Sequence, residues 1–274
     1  MSFEVGKIFD KAPRERINPY IAAAGLLLLR LKWDLSPLSW KSRIKLKRLK
    51  NSNVGQKAVI LCNGPSLNKV NFNLLEKSSV FSFGLNKINL IFDKTDFRPN
   101  CIVSVNPYVI EQNKDFYNST DLPVFLDSIG KKTIKFRKNI YFLHSAHIAG
   151  RFARDCSISI VQGSTVTYVA MQLAFHMGFK EVALTGCDHS FHTQGPANKK
   201  ISAGEQDPNH FDPNYFSNGV TWQLPDLKSS EFHYEKARDN YFHFGRRLVN
   251  CTEGGKLEIF ERMSLEEFLN SQSN

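Results

Sequence analysis

The stretch at residues 57–67, which reads KAVILCNGPSL, constrains the fold more than any other part of the chain. Residues 58–62 form a short apolar run, the pattern of a strand buried on both faces of a parallel sheet. The run stops at Asn63-Gly64-Pro65-Ser66, where Gly64 permits unusual backbone angles and Ser66 can cap a helix. A strand, a tight turn and a helix in this order place free backbone N–H groups where anionic ligands bind. An ordinary strand-to-helix turn is the alternative, since neither GxGxxG nor the Walker phosphate loop is present.

Short apolar runs alternate with helical stretches along the rest of the chain. We predict further strands at residues 80–85, 101–105, 123–127, 140–143, 181–185 and 248–251. Helices are predicted from the turn at Gly163 to His176, at 231–244, and after Ser264, which begins a Ser-x-x-Glu capping box. Strands that alternate with helices predict an α/β fold with a mostly parallel sheet and right-handed crossovers.

The net charge of +10 is concentrated near the N-terminus. Residues 30–50 contain eight Lys or Arg and one acid, Asp34, interleaved with leucines and with Trp33 and Trp40. The apolar run before them is shorter than the about 20 residues that span a bilayer. Three interpretations stay open: attachment to an anionic membrane surface, a basic helix packed on the domain, or nucleic-acid binding, for which no motif is present. We divide the chain into a basic amphipathic segment at 1–52 and a globular domain at 53–274.

The cysteines indicate a reducing compartment. Five are scattered along the chain without a CxxC pair: Cys62, Cys101, Cys156, Cys187 and Cys251. This pattern predicts buried free thiols, with no disulfide framework and no zinc site. Because the chain does not open with a signal-peptide pattern either, we predict a cytoplasmic protein.

Polar residues recur where the predicted strands end, at Asn63, Asn86, Asn106 and Asp188. Ligands of open α/β sheets bind outside the carboxyl ends of the strands, so we expect these side chains to converge. Asparagine offers a donor and an acceptor, which suits a sugar hydroxyl, a ribose or the edge of a base. One such asparagine is an ordinary turn residue, and the hypothesis therefore depends on three of them together.

The strand ends of this chain resemble those of the bacterial sialyltransferases of glycosyltransferase family 42. The residues that carry the resemblance are Asn63 to Leu67, Asn86, Asn106-Pro107 and the Gly186-Cys187-Asp188 strand end. They also resemble the wider group that contains the flagellin Maf glycosyltransferases and the archaeal 6-hydroxymethylpterin diphosphokinases. The resemblance covers roughly residues 57–188. Family 42 would imply a Rossmann-like fold with helices on both faces of the sheet, a CMP-activated nonulosonate such as CMP-sialic acid as donor, inversion at the anomeric carbon, and no metal or other cofactor.

The resemblance also implies site residues. Asn63, Gly64 and Ser66 would hold the nucleotide phosphate and ribose, Asn86 and Asn106 would touch the donor sugar and phosphate, and Ser164 and Thr165 the donor carboxylate or cytidine. The chain departs from the family in two places. His189, Ser190, Phe191 and His192 stand where the family has tyrosines, and Gln162 stands near the position of a family arginine. These departures leave the donor sugar open.

The family's catalytic base is a histidine after the Gly-x-Asp strand, and a neutral imidazole can take a proton from an acceptor hydroxyl. This chain offers four histidines in that part of the sequence: His189, His192, His210 and His233. We favour His210, which follows Asp207-Pro208-Asn209, with His233 as its main competitor and Asp188 as a further candidate catalytic residue. His210 lies in residues 190–227, a long loop whose aromatic residues favour a lid or an acceptor-binding loop.

Two other functions stay open. A diphosphokinase would need carboxylates to hold Mg²⁺ on ATP, which Asp188, Asp207, Asp212 and Asp226 could supply. A membrane-associated scaffold with a degenerate nucleotide site is the third, although the intact asparagine series argues against it. We favour a glycosyltransferase at the inner membrane face that uses a nucleotide-sugar donor and a glycan or lipid-linked acceptor. The oligomeric state is left open.

Overall fold

The computed structural model describes residues 18–146, 148, 150–193 and 195–271 of the chain. Ten strands are present in this part: β1 (Lys57–Leu61), β2 (Phe81–Leu85), β3 (Cys101–Ser104), β4 (Val124–Asp127), β5 (Ile140–Leu143), β6 (Glu181–Thr185), β7 (Lys200–Ser202), β8 (Thr221–Gln223), β9 (Arg247–Asn250) and β10 (Glu261–Arg262). Eight of them form one sheet in the order β10-β9-β6-β1-β2-β3-β4-β5, and every neighbouring pair is parallel. The predicted α/β fold and the predicted strands are confirmed.

Helices cover both faces of the sheet. The described residues contain α1 (Pro19–Asp34), α2 (Pro37–Leu49), α3 (Phe72–Ser78), α4 (Pro107–Gln112), α5 (Lys114–Ser119), α6 (Val166–Met177), α7 (Leu227–His243) and α8 (Leu265–Asn270). Alternate residues of β1 enter two separate cores: Ala58 and Ile60 pack with α6 and α7, whereas Val59 and Leu61 pack with α3 and α8. This alternation is the expected result of burying a strand on both faces.

The predicted helix ends follow their local chemistry. Thr165 caps α6 by accepting a hydrogen bond from the Thr167 backbone N–H, and Gly178 ends the helix with φ at 96°. The predicted capping box at Ser264 and Glu267 is present at the start of α8. Helix α7 begins earlier than predicted because the Asp226 side chain accepts from the Ser229 backbone N–H and starts the helix there.

The two N-terminal helices pack at the β5 edge of the sheet. The Ser42 hydroxyl accepts from the Phe142 backbone N–H at 3.3 Å, and the Lys45 ammonium donates to the Ile140 carbonyl at 2.8 Å. Leu46 is buried in the same core as α6. Residues 1–17 of the predicted basic segment lie outside the described residues. No helix in the described part of the chain is long and apolar enough to cross a bilayer. All five cysteines are buried free thiols, as predicted.

The strand order creates a topological switch point beside β1. The chain passes from β1 to β2 on one side, whereas β6, which comes much later in the sequence, occupies the other side. The loops after β1 and β6 meet there, since the Gly64 backbone N–H donates to the Gly186 carbonyl at 2.8 Å. Ligands of open α/β sheets bind at such a point.

Candidate active site

A cleft with two adjoining cavities lies at the carboxyl edge of the sheet. The larger cavity, of about 290 Å³, lies beyond β2 and β3 and is lined by Asn86 and Asn106. The smaller, of about 130 Å³, lies beyond β1 and β6 and is lined by Asn63, Gly64 and Asp188. Both cavities are bordered by Ser164, Thr165, Phe191, His210 and Pro225. Among the predicted site residues, Ser66 and His233 line neither cavity.

Two asparagine oxygens in the cleft have no partner. The Oδ1 atoms of Asn63 and Asn86 are buried and accept no hydrogen bond from the described residues. An unsatisfied buried acceptor costs about 1–3 kcal/mol, which a ligand hydroxyl or amino group would recover. Asn106 differs, because its Oδ1 caps α4 by accepting from the Tyr108 backbone N–H at 2.9 Å. Among the three strand-end asparagines, Asn63 and Asn86 are therefore the two whose side-chain oxygens are free to accept a hydrogen bond from a ligand.

A protein carboxylate occupies the turn where the sequence predicts a bound phosphate. Asp188 Oδ2 accepts from the Ser66 hydroxyl at 2.7 Å and from the Ser66 backbone N–H at 3.2 Å. A Cβ atom on Gly64 would lie 2.0 Å from this same oxygen and 2.8 Å from the Gly186 carbonyl. Gly64 is thus required for the contact between the two loops, with or without a ligand. A side chain at Gly64 is therefore expected to disturb the fold as well as any bound ligand.

His210 forms a carboxylate–imidazole pair with Asp207. The Nδ1 atom of His210 lies 2.7 Å from Oδ2 of Asp207, whose side chain is only 2% exposed. Burial raises the pKa of Asp207, but hydrogen bonds from the His210 ring and from the Asn209 and Phe216 backbone N–H groups lower it below its usual range. Since an ionised carboxylate can only accept, Nδ1 carries the proton. When the ring is neutral, its free electron pair is therefore on Nε2, which has no hydrogen-bond partner among the described residues.

Aromatic side chains hold the His210 ring in place. The ring stacks on Tyr215 with a centroid distance of 4.0 Å and an interplanar angle of 2°, and the edges of Phe216 and Trp222 pack against it. These three aromatic residues are buried, and β7 and β8 form a hairpin within the same loop. The Phe211 backbone N–H also donates to the Asn63 carbonyl at 3.0 Å. The loop predicted as a lid or acceptor-binding loop is thus packed onto the end of the sheet.

The other candidate histidines are less suited to accept a proton. Nδ1 of His233 lies 2.7 Å from the Ser229 carbonyl, and the ring is buried against Tyr168, away from both cavities. His189 lines the smaller cavity, but its Nε2 is 2.9 Å from the exposed carboxylate of Glu231. His192 is exposed. Of these four histidines, only His210 has one ring nitrogen bonded to a buried carboxylate and the other, Nε2, without a partner among the described residues. Its side chain also borders both cavities.

The turn before α6 connects the cleft to α7. Ser164 has a left-handed φ of 61°, and its hydroxyl lies 2.8 Å from the Ser229 hydroxyl. The Thr165 hydroxyl lies 3.4 Å from that of Tyr234. Both residues therefore present polar atoms at the border of the two cavities, next to the N-terminal end of α6, which favours negative charge.

The four carboxylates of the diphosphokinase alternative bind separate protein partners. Asp188 contacts Ser66 and Asp207 contacts His210, whereas Asp212 pairs with Lys94 at 2.7 Å and Asp226 caps α7. Within the described ranges, no group of three or more His, Cys, Asp or Glu side chains is arranged to hold a metal ion. The four carboxylates do not converge on one ligand.

Lys87 lines neither cavity but supports the site, and its role was not predicted from the sequence. It follows Asn86 at the end of β2, and its ammonium donates to the Tyr215 carbonyl at 2.6 Å and lies 4.9 Å from the centre of the Phe216 ring. Burial lowers the pKa of Lys87 to about 8, although the charge of Asp207 opposes this shift. Lys87 thereby attaches the His210 loop to β2. Its position after a strand was the available signal.

Lys87→Met tests this buried ammonium through the pH dependence of stability. The unfolded chain holds the Lys87 proton up to its ordinary pKa of 10.5, whereas the folded protein releases it near 8. Stability rises with pH wherever the unfolded state binds more protons. The free energy of unfolding of the wild type should therefore rise relative to Lys87→Met across this window, by at most about 1.4 kcal/mol per pH unit. Urea unfolding of both proteins at several pH values measures this, and a constant difference would contradict it.

The fold and the cleft define an α/β protein with two adjoining cavities at the switch point of a parallel sheet. The chain belongs to the MptE-like family, since the family model described as "6-hydroxymethylpterin diphosphokinase MptE-like" matches residues 39–194. This match ends before Asp207 and His210. The predicted resemblance to this group is confirmed, whereas that to family 42 stays a prediction.

One solved structure extends the comparison. The chain is similar to the MAf glycosyltransferase from Magnetospirillum magneticum AMB-1, with a TM-score of 0.53 and 12% sequence identity. The match covers 87% of this chain but 40% of that one, and at this identity it shows a shared fold. No curated protein matches the sequence.

Proposed function

We propose that this protein is a glycosyltransferase that moves a sugar from a nucleotide-activated donor to a hydroxyl group, with His210 as the general base. The observation that carries the proposal is the Asp207–His210 pair, whose unpartnered Nε2 borders both cavities of the cleft. Donor and acceptor would occupy these two adjoining cavities. The shared fold with a glycosyltransferase supports the same reaction class.

We propose that the reaction is an inverting displacement, as the resemblance to family 42 implies. The acceptor hydroxyl attacks the anomeric carbon, and the bond from that carbon to the nucleotide phosphate breaks with its electron pair leaving on the phosphate. The hydroxyl proton passes to Nε2 of His210. Asp207, fixed on Nδ1, holds the ring orientation and stabilises the imidazolium that forms. Positioned base catalysis of this kind contributes about 10²–10⁴-fold to the rate.

For the donor we propose a CMP-activated nonulosonate. The unpartnered side-chain oxygens of Asn63 and Asn86 would accept hydrogen bonds from hydroxyl or amino groups of this donor. The donor's carboxylate would bind at the N-terminal end of α6, where Ser164 and Thr165 border both cavities. The free backbone N–H groups of a helix N-terminus favour an anion. The resemblance of the strand-end blocks to family 42 supports the same choice.

Diphosphoryl transfer from ATP is the second candidate, and membership of the MptE-like family favours it. The Asp207–His210 pair could equally take the proton of a hydroxymethyl group that attacks a phosphorus atom. Such a reaction uses Mg²⁺ on the phosphates, held by carboxylates. Because the candidate carboxylates are dispersed and engaged with protein partners, we place glycosyl transfer first.

A nucleotide-binding panel tests the proposal. Calorimetric titration with CMP, UDP, GDP and ATP, each with EDTA or with Mg²⁺, is expected to show CMP binding that survives EDTA. Asn86→Ala should weaken this binding about fivefold to tenfold, the effect of one lost hydrogen bond, whereas Asn240→Ala on α7 should not. Binding of ATP alone, and only with Mg²⁺, would contradict the proposal and favour the diphosphokinase.

A further inference from the structure

A large apolar surface lies outside the cleft, on the two N-terminal helices. Eight large apolar side chains there are between 43% and 84% exposed: Tyr20, Ile21, Leu27, Leu28, Leu31, Leu35, Trp40 and Ile44. At 3.6 residues per turn, the five on α1 fall within an arc of about 120° and therefore lie along one side of the helix. A helix of a globular protein normally buries such a side, and contiguous exposed apolar surface marks an interaction site. We call these eight residues the apolar face.

The charges around the apolar face are positive. Lys32, Lys41, Lys47 and Arg48 are exposed, and none has an acidic partner among the described residues. Asp34, the one acid of helices α1 and α2, is already bound to Arg30 at 2.7 Å and to Arg43 at 3.1 Å. The surface therefore combines exposed apolar side chains with cations that have no acidic partner among the described residues.

The helices are attached to the domain through other side chains. The buried Trp33 ring stacks on His144 with a centroid distance of 5.7 Å, and Arg30 donates to the Ile158 carbonyl at 2.7 Å. Leu46 is buried in the main core. His144 directly follows β5 and therefore lies at the carboxyl edge of the sheet, where the cleft also opens. The apolar face is thus presented by a fixed support near the cleft edge.

We propose that the apolar face docks on an anionic membrane surface. Its leucine and aromatic side chains would enter the boundary between headgroups and acyl chains, while the four cations pair with lipid phosphates. A second copy of the chain is a poorer occupant, because a two-fold interface would bring the same positive charges face to face. The proposal does not depend on the glycosyltransferase assignment.

Vesicle sedimentation of the full chain tests this inference. We expect binding to vesicles of phosphatidylcholine with phosphatidylglycerol, weak binding to phosphatidylcholine alone, and release at high salt, since salt screens the lipid charges. Leu28→Glu with Leu31→Glu should lower the bound fraction about tenfold or more, and Lys47→Glu with Arg48→Glu should remove the preference for anionic lipid.

Phe242→Glu is the matched control. Phe242 is 84% exposed on α7, outside the apolar face, so this change should leave vesicle binding unchanged. All the variants alter exposed residues, and circular dichroism will verify that they fold. Binding that is equal for neutral and anionic vesicles, or unaffected by the leucine changes, would overturn the proposal. The proposal would also be overturned if the wild type did not bind vesicles and instead formed a dimer, detected by light scattering, that Leu28→Glu with Leu31→Glu dissociates.

Discussion

His210→Ala is expected to lower turnover of the donor by about 10²–10⁴-fold while nucleotide affinity stays close to that of the wild type. The imidazole would take the acceptor proton in the transition state, whereas the donor would be bound by side chains such as Asn63 and Asn86. Asp207→Asn should also lower turnover, because the amide keeps the size of the side chain but removes the charge that stabilises the imidazolium. Initial rates of nucleotide release measure both effects.

Two histidine variants serve as controls for His210. His189→Ala removes a ring of the smaller cavity that pairs with Glu231, and His233→Ala removes a buried ring that lines neither cavity. Both should retain much more activity than His210→Ala. A normal rate in His210→Ala with an inactive His233→Ala would assign the base to His233. Equal mild losses in both would exclude a single histidine base.

Gly64→Val is expected to destabilise the folded protein, in addition to any effect on ligand binding. A Cβ at this position would lie 2.0 Å from Oδ2 of Asp188, and the backbone carbonyl of Gly186, 2.8 Å away, leaves it no alternative space. Forcing extra atoms into a packed site costs typically about 1–3 kcal/mol and sometimes more. Urea unfolding and the yield of soluble protein measure the loss. The two loops that form the smaller cavity would separate.

Gly204→Val is the matched control for this steric effect. A Cβ at Gly204 would come no nearer than 3.9 Å to any other residue, so valine should be tolerated there. If Gly64→Val unfolds at the same urea concentration as the wild type and loses only nucleotide binding, then Gly64 is needed to bind the nucleotide phosphate and not for the contact with Asp188. That outcome would contradict the structural account of the turn.

The sheet and the convergence of its polar ends could be predicted because both follow from local patterns. Apolar runs indicated the buried strands, and parallel strands bring the residues after them, such as Asn63 and Asp188, to one edge. The short strands β7 and β8 were missed because each has only three residues, too few to establish an alternating pattern. The Asp207–His210 pair was within reach of the sequence, since the two residues are three positions apart.

Other features of the site depend on contacts between distant residues. Asp188 reaches Ser66 across 122 positions, and no local pattern predicts that a carboxylate fills the turn. The burial of His233 results from the packing of α7 against Tyr168. The function of Lys87 depends on where the His210 loop folds back onto β2. Such contacts are properties of tertiary packing, which periodicity and spacing do not encode.

The most direct test of the central claim is to find which bond breaks. Water can replace the acceptor, so the wild type is incubated with CMP-sialic acid in water enriched in heavy oxygen, and the products are analysed by mass spectrometry. Attack at the anomeric carbon predicts no heavy oxygen in the phosphate of the released CMP, with release lowered about 10²–10⁴-fold in His210→Ala. The released sugar does not report the bond broken, because a free nonulosonate exchanges its anomeric oxygen with water. Heavy oxygen in the phosphate of CMP, or release that is unchanged in His210→Ala, would contradict a glycosyltransferase with His210 as its base.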